Sequence, residues 1–318
     1  MRWVALVFSL MMLSIPFGAA YTIYKVGFRT YREKLPTPHM LPHGEQYEPF
    51  HDEMHALIDE IERLPYESVS IRSHDGLTLG GRLYRMFPDN APLAILLHGY
   101  RSNAVRDGSG GVCLCRRHGY NVLMIDQRAH GTSEGNVVSL GVLEQRDCLR
   151  WIKYAEQRFS PSVRIVLMGI SMGAATAAMA ASQGLPDSVQ GLFLDSGFGS
   201  ARAMIFAIIR RVKAWRNLAF GFAWLGGKLY GCFDLKDGNA FSGLQNWTRP
   251  VAFFHSTEDR FVPYEMTVRM YEACASEQKS LTLIENAGHA MGFYQDRERY
   301  EAVAEQFFRA VAERSKDS

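Results

Sequence analysis

Two patterns of apolar residues alternate along most of this chain. Short apolar runs, of the kind that are buried on both faces of a sheet, occur at 93–97, 121–125, 164–168, 191–194, 251–254 and 281–284. Stretches with helical spacing lie between or after them, at 109–118, 141–158, 172–183, 264–276 and 295–313. This alternation predicts an α/β fold, with a mostly parallel central sheet and helices on both of its faces.

The residues before this alternation predict further elements. Alternating apolar residues on either side of Asp75-Gly76 predict a β-hairpin over 67–84. Apolar residues at helical spacing from Phe50 to Leu64 predict a short amphipathic helix. Residues 25–48 contain three prolines and little periodicity. We therefore interpret 25–65 as a tether with one short helix, and 66–318 as the α/β domain.

The stretch 199–247 interrupts the alternation. It is too long for a simple crossover between strands, and it is rich in aromatic and helix-forming residues. Seven of its residues are basic and only two are acidic. These features predict a helical cap inserted over the mouth of the sheet. Ordinary packing helices with solvated charges are the alternative interpretation.

The first 24 residues form a separate unit. No charged residue occurs from Trp3 to Tyr24, and a helix of that length spans roughly 33 Å, enough to cross a bilayer. We expect 1–24 to be a transmembrane anchor, and the basic residues just after it favour a cytoplasmic location for the rest of the chain. The alternative is a signal peptide cleaved after small residues near Ala20, which predicts a secreted or periplasmic protein.

Charge, cysteine content and the motifs of the chain limit which partners and cofactors are expected. The 35 basic residues are nearly balanced by 33 acidic ones, so the chain has no basic surplus that would favour nucleic acid as a partner. The five cysteines are odd in number and indicate buried or half-buried thiols in a reducing compartment. We find no metal-ligand spacing and no phosphate-binding loop, so no cofactor or metal is expected. The sequence leaves the oligomeric state open.

One strand of the predicted sheet runs directly into a turn that exposes a serine. The run 164–168 is followed by Gly169-Ile170-Ser171-Met172-Gly173 and then by helix-forming residues. Glycines flank the serine because a β-carbon at either position would collide with the neighbouring strand or helix. The N-terminus of the following helix points at the hydroxyl. Ser171 is therefore a candidate nucleophile.

Polar residues also follow three other strands. His98-Gly99-Tyr100 ends the run 93–97, a segment containing Glu258 and Asp259 follows 251–254, and His289 follows 281–284. The carboxyl ends of parallel strands meet at one edge of a sheet. A serine hydroxyl needs a base, and an imidazole held by a carboxylate meets that need. Asp259 is the expected carboxylate, with Glu258 as the alternative.

Together these motifs resemble the α/β-hydrolase superfamily, and specifically its serine aminopeptidase-like or bem46-like branch, over about 66–312. The resemblance rests on the strand end at His98, the serine turn, and the loop Asp126-x-Arg128-Ala129-His130-Gly131-x-Ser133, together with His255-x-x-x-Asp259-x-x-Val262-Pro263 and Gly288-His289. Ala129 and Ser256 stand where the superfamily usually has glycine, which places loop geometry in question but removes no reacting group.

The resemblance assigns a role to each residue of the candidate site. It implies that Ser171 is the nucleophile, His289 the general base and acid, and Asp259 the partner that orients the histidine. The main-chain N–H groups of Tyr100 and Met172 would form the oxyanion hole. Three other histidines are expected to brace turns without acting as bases, namely His98, His130 and His255.

The implied activity is that of a serine hydrolase that cleaves an ester, thioester or amide through an acyl-enzyme. The apolar, basic cap favours lipophilic acyl substrates, so a carboxylic ester hydrolase acting on a small-molecule or lipid-like ester is our first expectation. A serine peptidase of the aminopeptidase type is one alternative. The other is a catalytically silent binding protein with the hydrolase fold.

Overall fold

The structure is a computed structural model. It describes residues 2–160, 162–210 and 215–314, apart from the side chains of residue 2 and residues 4–13.

An eight-stranded sheet forms the centre of the molecule. Its strands are β1 (Glu67–Arg72), β2 (Thr78–Tyr84), β3 (Leu93–Leu97), β4 (Asn121–Ile125), β5 (Ile165–Ile170), β6 (Val189–Asp195), β7 (Val251–Ser256) and β8 (Lys279–Ile284). Their spatial order is β1-β2-β4-β3-β5-β6-β7-β8. The pairs β1–β2 and β2–β4 are antiparallel, and all other pairs are parallel. The carboxyl ends of β3, β5, β7 and β8 therefore lie at one edge of the sheet.

Helices cover both faces of this sheet or pack on the helices that do. They are α1 (Arg2–Gly27), α2 (His51–Arg63), α3 (Ala104–Arg117), α4 (Glu144–Arg158), α5 (Met172–Ala181), α6 (Ala201–Ile208), α7 (Arg216–Tyr230), α8 (Phe241–Leu244), α9 (Glu265–Ala273), α10 (Gly292–Gln295) and α11 (Arg297–Arg314). Short 3-10 helices occur at Arg32–Lys34, Glu48–Phe50 and Leu235–Asp237.

The two faces of the sheet form two separate hydrophobic clusters. Side chains alternate across a strand, so Ile95 joins the cluster beneath α4 and α5 while Leu96 joins the cluster beneath α2, α3 and α11. Strands β3 and β4 are buried along their whole length. This burial on both faces confirms the α/β fold with a mostly parallel sheet, which the apolar runs predict.

The helix boundaries differ from the prediction mainly at α3. The sequence predicts a helix from 109, whereas α3 begins at Ala104. The side chain of Asn103 accepts hydrogen bonds from the N–H groups of Val105 and Arg106, which is N-cap geometry. Glycines in the first half of α3 lower its helix propensity and hide its start from a periodicity analysis.

The prediction of a transmembrane anchor at 1–24 is not supported. Within the described part of the chain, no helix combines the length and the apolar character needed to cross a bilayer. The second half of α1 and the residue just after it pack on protein, because Ala20, Tyr24 and Phe28 are buried. The partner of α1 is α7, where a β-carbon on Gly226 would lie 2.5 Å from the Ala20 carbonyl oxygen.

Candidate active site

The turn after β5 (residues 169–173, the β5 turn) holds Ser171 in a strained conformation. Ser171 has φ +55° and ψ −117° and immediately precedes α5. A β-carbon on Gly169 would overlap Gly173 and the Ala174 amide, and one on Gly173 would overlap the Leu97 carbonyl oxygen. The two flanking glycines are thus required by contact, as the sequence predicts. Such strain is typical of a residue that is held in place for a function.

Ser171, His289 and Asp259 lie in one hydrogen-bonded line. His289 Nε2 is 2.9 Å from Ser171 Oγ, and His289 Nδ1 is 2.6 Å from Asp259 Oδ2. The Asp259 carboxylate is fully buried, and its Oδ1 accepts the N–H groups of Phe261 and Val262 at 2.8 Å each. Glu258 is exposed and makes no such contact among the described residues. Asp259 therefore supplies the carboxylate of the line.

A second histidine contacts the same carboxylate. His255 Nε2 lies 3.1 Å from Asp259 Oδ2 and 3.0 Å from the Val262 carbonyl oxygen, while its Nδ1 lies 2.7 Å from Thr267 Oγ1. Burial by itself would raise the pKa of Asp259, but the hydrogen bonds of His255 and His289 outweigh it and hold the pKa well below its usual range. The carboxylate is therefore ionised at neutral pH, and His255 braces it.

The loop after β3 (residues 98–102, the β3 loop) lies directly beside the serine. A β-carbon on Gly99 would be 3.4 Å from Ser171 Cβ. The Gly99 N–H already donates to Asp107 Oδ2 at 2.8 Å. The next amide, that of Tyr100, has no acceptor among the described residues, and neither has that of Met172, which opens α5. The arrangement leaves these two N–H groups available to a ligand.

Asp107 is a site residue that the sequence analysis missed. Its carboxylate is partly buried, and it accepts the Gly99 N–H with one oxygen and the Ser102 hydroxyl with the other. Burial alone would raise the pKa of Asp107, but Arg106, Ser102 and Gly99 together lower it. Its position in the first turn of α3, four residues after the Asn103 cap, is the only sequence signal that could have found it.

An apolar cavity of about 200 Å³ opens beside the serine. Its floor is formed by side chains of the sheet and its roof by α3, with further walls from α10. Pro42, Tyr47 and Met54 close it on the N-terminal side. None of the described residues of 199–247 lines it, and the cap over the mouth of the sheet stays a prediction. The predicted tether supplies a wall of the site instead.

Comparison with known proteins agrees with this fold. Residues 94–306 match the model of the alpha/beta hydrolase family. The chain belongs to this family. Its relatives include the uncharacterized protein YqkD of Bacillus subtilis (strain 168), 27% identical over 260 residues, which are 80% of this chain and 83% of YqkD. The lysophosphatidylserine lipase ABHD12 of Danio rerio is 25% identical over 220 residues, which are 66% of this chain but 52% of ABHD12.

Among solved structures, the Pyrococcus furiosus esterase Pf2001 is similar in fold. It superposes with a TM-score of 0.62 at 22% identity, and the match covers 79% of this chain and 93% of the esterase. At that identity the likeness concerns the fold alone. The narrower branch named from the sequence motifs stays a prediction.

The Asp-x-Arg loop of this α/β hydrolase has a structural role. The Arg128 guanidinium is buried and pairs with Asp147 at 2.6 Å and with Asp75 at 2.9 Å, which ties the loop to α4 and to the hairpin turn. Ala129 has φ +65°, a conformation that favours glycine. This explains why the superfamily usually has glycine there. Ser256 is the second position at which the superfamily usually has glycine. Its hydroxyl is buried without a partner among the described residues.

Among the described residues, two groups of side chains have ligand atoms close enough together to hold a metal ion. One, of His39, Asp59 and Glu62, lies on the outer surface of α2. The other consists of His74, Asp75 and Asp147, and the Arg128 guanidinium already pairs with both of its carboxylates. Neither group lines the cavity beside Ser171.

Proposed function

We propose that this α/β hydrolase is a serine esterase that cleaves carboxylic esters of apolar acyl chains through an acyl-enzyme. The observation that carries the proposal is the hydrogen-bonded line from Ser171 through His289 to Asp259, which opens on an apolar cavity. A nucleophile, a base and an orienting carboxylate in hydrogen-bond contact are the arrangement that acyl transfer requires.

In the first half of the reaction, Ser171 Oγ attacks the ester carbonyl carbon while its proton passes to His289 Nε2. The resulting imidazolium is stabilised by the ionised Asp259 carboxylate, 2.6 Å from Nδ1. The negative charge that develops on the carbonyl oxygen is taken up by the N–H groups of Tyr100 and Met172, and each such donor typically contributes about 3 kcal/mol in the transition state. The C–O bond then breaks, and His289 returns the proton to the departing alcohol.

In the second half, water attacks the acyl-enzyme carbonyl while His289 Nε2 accepts its proton. The same two N–H groups stabilise the second tetrahedral intermediate. Collapse of that intermediate releases the carboxylic acid and returns the proton to Ser171 Oγ. The protein's side chains are then in their starting protonation states.

The cavity favours an acyl chain over a peptide. Its lining is mostly apolar, with Leu96, Met168 and Phe193 of the sheet in its floor. The carboxylates in its wall are already engaged: Asp107 by Gly99 and Ser102, and Asp195 by the hydroxyls of Ser196 and Tyr300. An aminopeptidase needs a free carboxylate for the substrate's amino group. The printed names of Pf2001 and ABHD12, an esterase and a lipase, are consistent with ester substrates.

A fluorophosphonate probe combined with an ester assay tests the proposal. The wild-type chain should be labelled at Ser171 and should hydrolyse p-nitrophenyl esters, whereas Ser171→Ala and His289→Ala should lose roughly 10⁴–10⁶ in turnover with the fold intact. Ser242→Ala is the matched control, because that serine is exposed on α8. Unchanged labelling or turnover in Ser171→Ala would contradict the proposal, as would a wild-type chain with no hydrolytic activity.

A further inference from the structure

The β3 loop is fastened to the last turn of α1. The Tyr100 hydroxyl donates to the Gly27 carbonyl oxygen at 2.8 Å. The Arg101 guanidinium donates to the carbonyl oxygens of Val26 and Arg29, also at 2.8 Å each. The final carbonyl groups of a helix have no partner within the helix. Tyr100 and Arg101 therefore satisfy two carbonyls at the end of α1 and one just beyond it, and the cation lies at the negative end of the helix dipole.

The last turn of α1 is itself held in place from other directions. Tyr24 and Phe28 are only 4% and 2% exposed. The ring of Phe28 packs edge-on against Phe233, with 5.2 Å between centroids. Just beyond the helix, the Thr30 N–H donates to the Asn136 carbonyl, and the Phe28 carbonyl accepts the Val138 N–H, both at 2.8 Å. The α1 carbonyls are thus fixed acceptors for the β3 loop.

The backbone of the β3 loop depends on such support. Arg101 has φ +50°, a left-handed conformation that is unfavourable for a residue with a side chain and persists where surrounding contacts hold it. Its guanidinium also lies over the Tyr100 ring, 4.9 Å from the centroid. On one side of the Tyr100 amide, Asp107 holds Gly99. On the other side, α1 holds Arg101.

We propose that the last turn of α1 positions the Tyr100 N–H in the oxyanion hole, through the Arg101 guanidinium and the Tyr100 hydroxyl. Arg101 is then a positioning residue for catalysis, and the N-terminal helix is part of the catalytic machinery. The inference rests on the proposed esterase function, since it concerns the donor that stabilises the oxyanion of that reaction.

Steady-state kinetics of Arg101→Ala in the full-length chain test this inference. A misplaced oxyanion donor weakens the transition state far more than the bound ester, so kcat should fall roughly 10- to 100-fold while KM stays within about twofold. The Kd of an arylboronic acid, whose adduct with Ser171 carries a tetrahedral oxyanion, should rise by the same factor as kcat falls.

Two further variants grade the effect. Tyr100→Phe removes one hydroxyl and should cause a smaller fall in kcat. Arg101→Lys should restore part of the activity, because an ammonium group keeps the charge and the N–H donors but lies on a shorter side chain.

Arg32→Ala is the matched control. Arg32 also belongs to the N-terminal segment and also donates to main-chain carbonyls, those of Gly131 and Ser133, but these lie in the loop after β4. It should change thermal stability without changing kcat or boronate affinity. Equal losses of kcat in the Arg32 and Arg101 variants would overturn the inference, because they would show a general effect of loosening the segment.

The remaining outcomes are also decisive. An unchanged kcat in a folded Arg101→Ala overturns the inference and leaves the esterase proposal intact. A fall in kcat without a matching loss of boronate affinity also overturns it. If Arg101→Ala does not fold, the same comparison in Tyr100→Phe decides. A wild-type chain that neither turns over esters nor binds the boronate counts against the esterase function itself, which is a distinguishable result.

Discussion

The two turns that carry the Tyr100 and Met172 N–H groups beside Ser171 are held in different ways. The β5 turn is fixed by contacts among its own residues and with the adjacent strand, because Gly169 and Gly173 leave no room for a β-carbon. The β3 loop has no such local constraint. It is held by the Asp107 carboxylate of α3, which accepts the Gly99 N–H, and by the Tyr100 and Arg101 side chains, which donate to carbonyls at the end of α1. One turn is rigid by local sterics, and the other is rigid only because distant segments support it.

This difference explains why the support of the β5 turn is visible in the sequence and that of the β3 loop is not, although the strand end His98-Gly99-Tyr100 itself is. A turn fixed by local sterics requires glycine at set positions, so it leaves a short motif. A loop held from a distance requires only that suitable donors and acceptors meet in three dimensions. The two halves should therefore respond differently to substitution.

Gly173→Ala should have the largest effect. Its β-carbon would overlap the Leu97 carbonyl oxygen, a backbone atom that cannot move without shifting β3. We expect the free energy of unfolding to fall by about 3 kcal/mol or more and esterase turnover to fall by at least about 10³. Urea titration and ester kinetics measure the two effects.

Gly221→Ala is the control for this substitution. Gly221 lies in α7, and a β-carbon there would meet nothing within 4 Å. Because alanine is the better helix former by about 1 kcal/mol, this variant should be as stable as the wild type or more so. A Gly173→Ala chain with normal turnover would show that the β5 turn is not fixed by sterics.

Asp107→Asn should have the next largest effect, since it weakens the support of the β3 loop. The amide keeps one acceptor oxygen for the Gly99 N–H but places an NH₂ group against the Ser102 hydroxyl and removes the negative charge beside Arg106. We expect a loss of about 1–3 kcal/mol in stability and roughly 10-fold in kcat. Asp89→Asn, which alters an exposed ion pair with Arg85, should change neither quantity. Equal changes of stability and kcat in the two variants would show that Asp107 does not support the β3 loop.

The sequence predicts the parts of the fold that are encoded locally. The buried strands match the apolar runs because parallel strands covered on both faces must be apolar throughout. Ser171, His289 and Asp259 follow three of those strands, so their convergence follows from the sheet. Whether they act as a catalytic triad is a prediction that the labelling experiment tests.

The parts that the sequence misses depend on long-range packing. The apolar residues of α1 predict a transmembrane anchor, but the structure places Ala20, Tyr24 and Phe28 against the protein, and periodicity does not distinguish the two environments. The start of α3 is hidden by its glycines. Pro42 and Tyr47 line the cavity although nothing in their local sequence indicates a site.

Met54→Trp should change substrate preference more than overall activity. Met54 projects from α2 into the wall of the cavity and is 6% exposed. A larger side chain there should shorten the cavity, so kcat/KM for an octanoate ester relative to an acetate ester should fall roughly 10-fold. The control is Leu218→Trp on the exposed surface of α7, within the predicted cap. If the Leu218 variant alters the preference and the Met54 variant does not, the acyl chain binds beneath the cap and not beneath α3.

The smallest effect concerns pH and a histidine packed behind the β3 loop. His130 stacks edge-on against His98, with 4.7 Å between ring centroids. Its Nδ1 lies 2.9 Å from the Arg128 carbonyl oxygen, so that nitrogen donates, while its buried Nε2 has no partner within the described residues. Burial, followed by the neighbouring His98, lowers the pKa of His130 to about 3.

Because this pKa is lowered on folding, the unfolded chain binds a proton at His130 before the folded chain does. Stability should therefore decrease as pH falls from about 6.5 to about 3, at a rate approaching 1.4 kcal/mol per pH unit from this group. His74 and His118 act in the same direction, but each is less buried and should contribute a shallower slope. Urea unfolding at pH 7, 6 and 5 should show a flatter dependence of stability on pH for His130→Gln than for the wild type. A His130→Gln profile as steep as the wild type would mean that the folded and unfolded chains bind the proton at His130 over the same pH range, and that burial does not keep this histidine neutral.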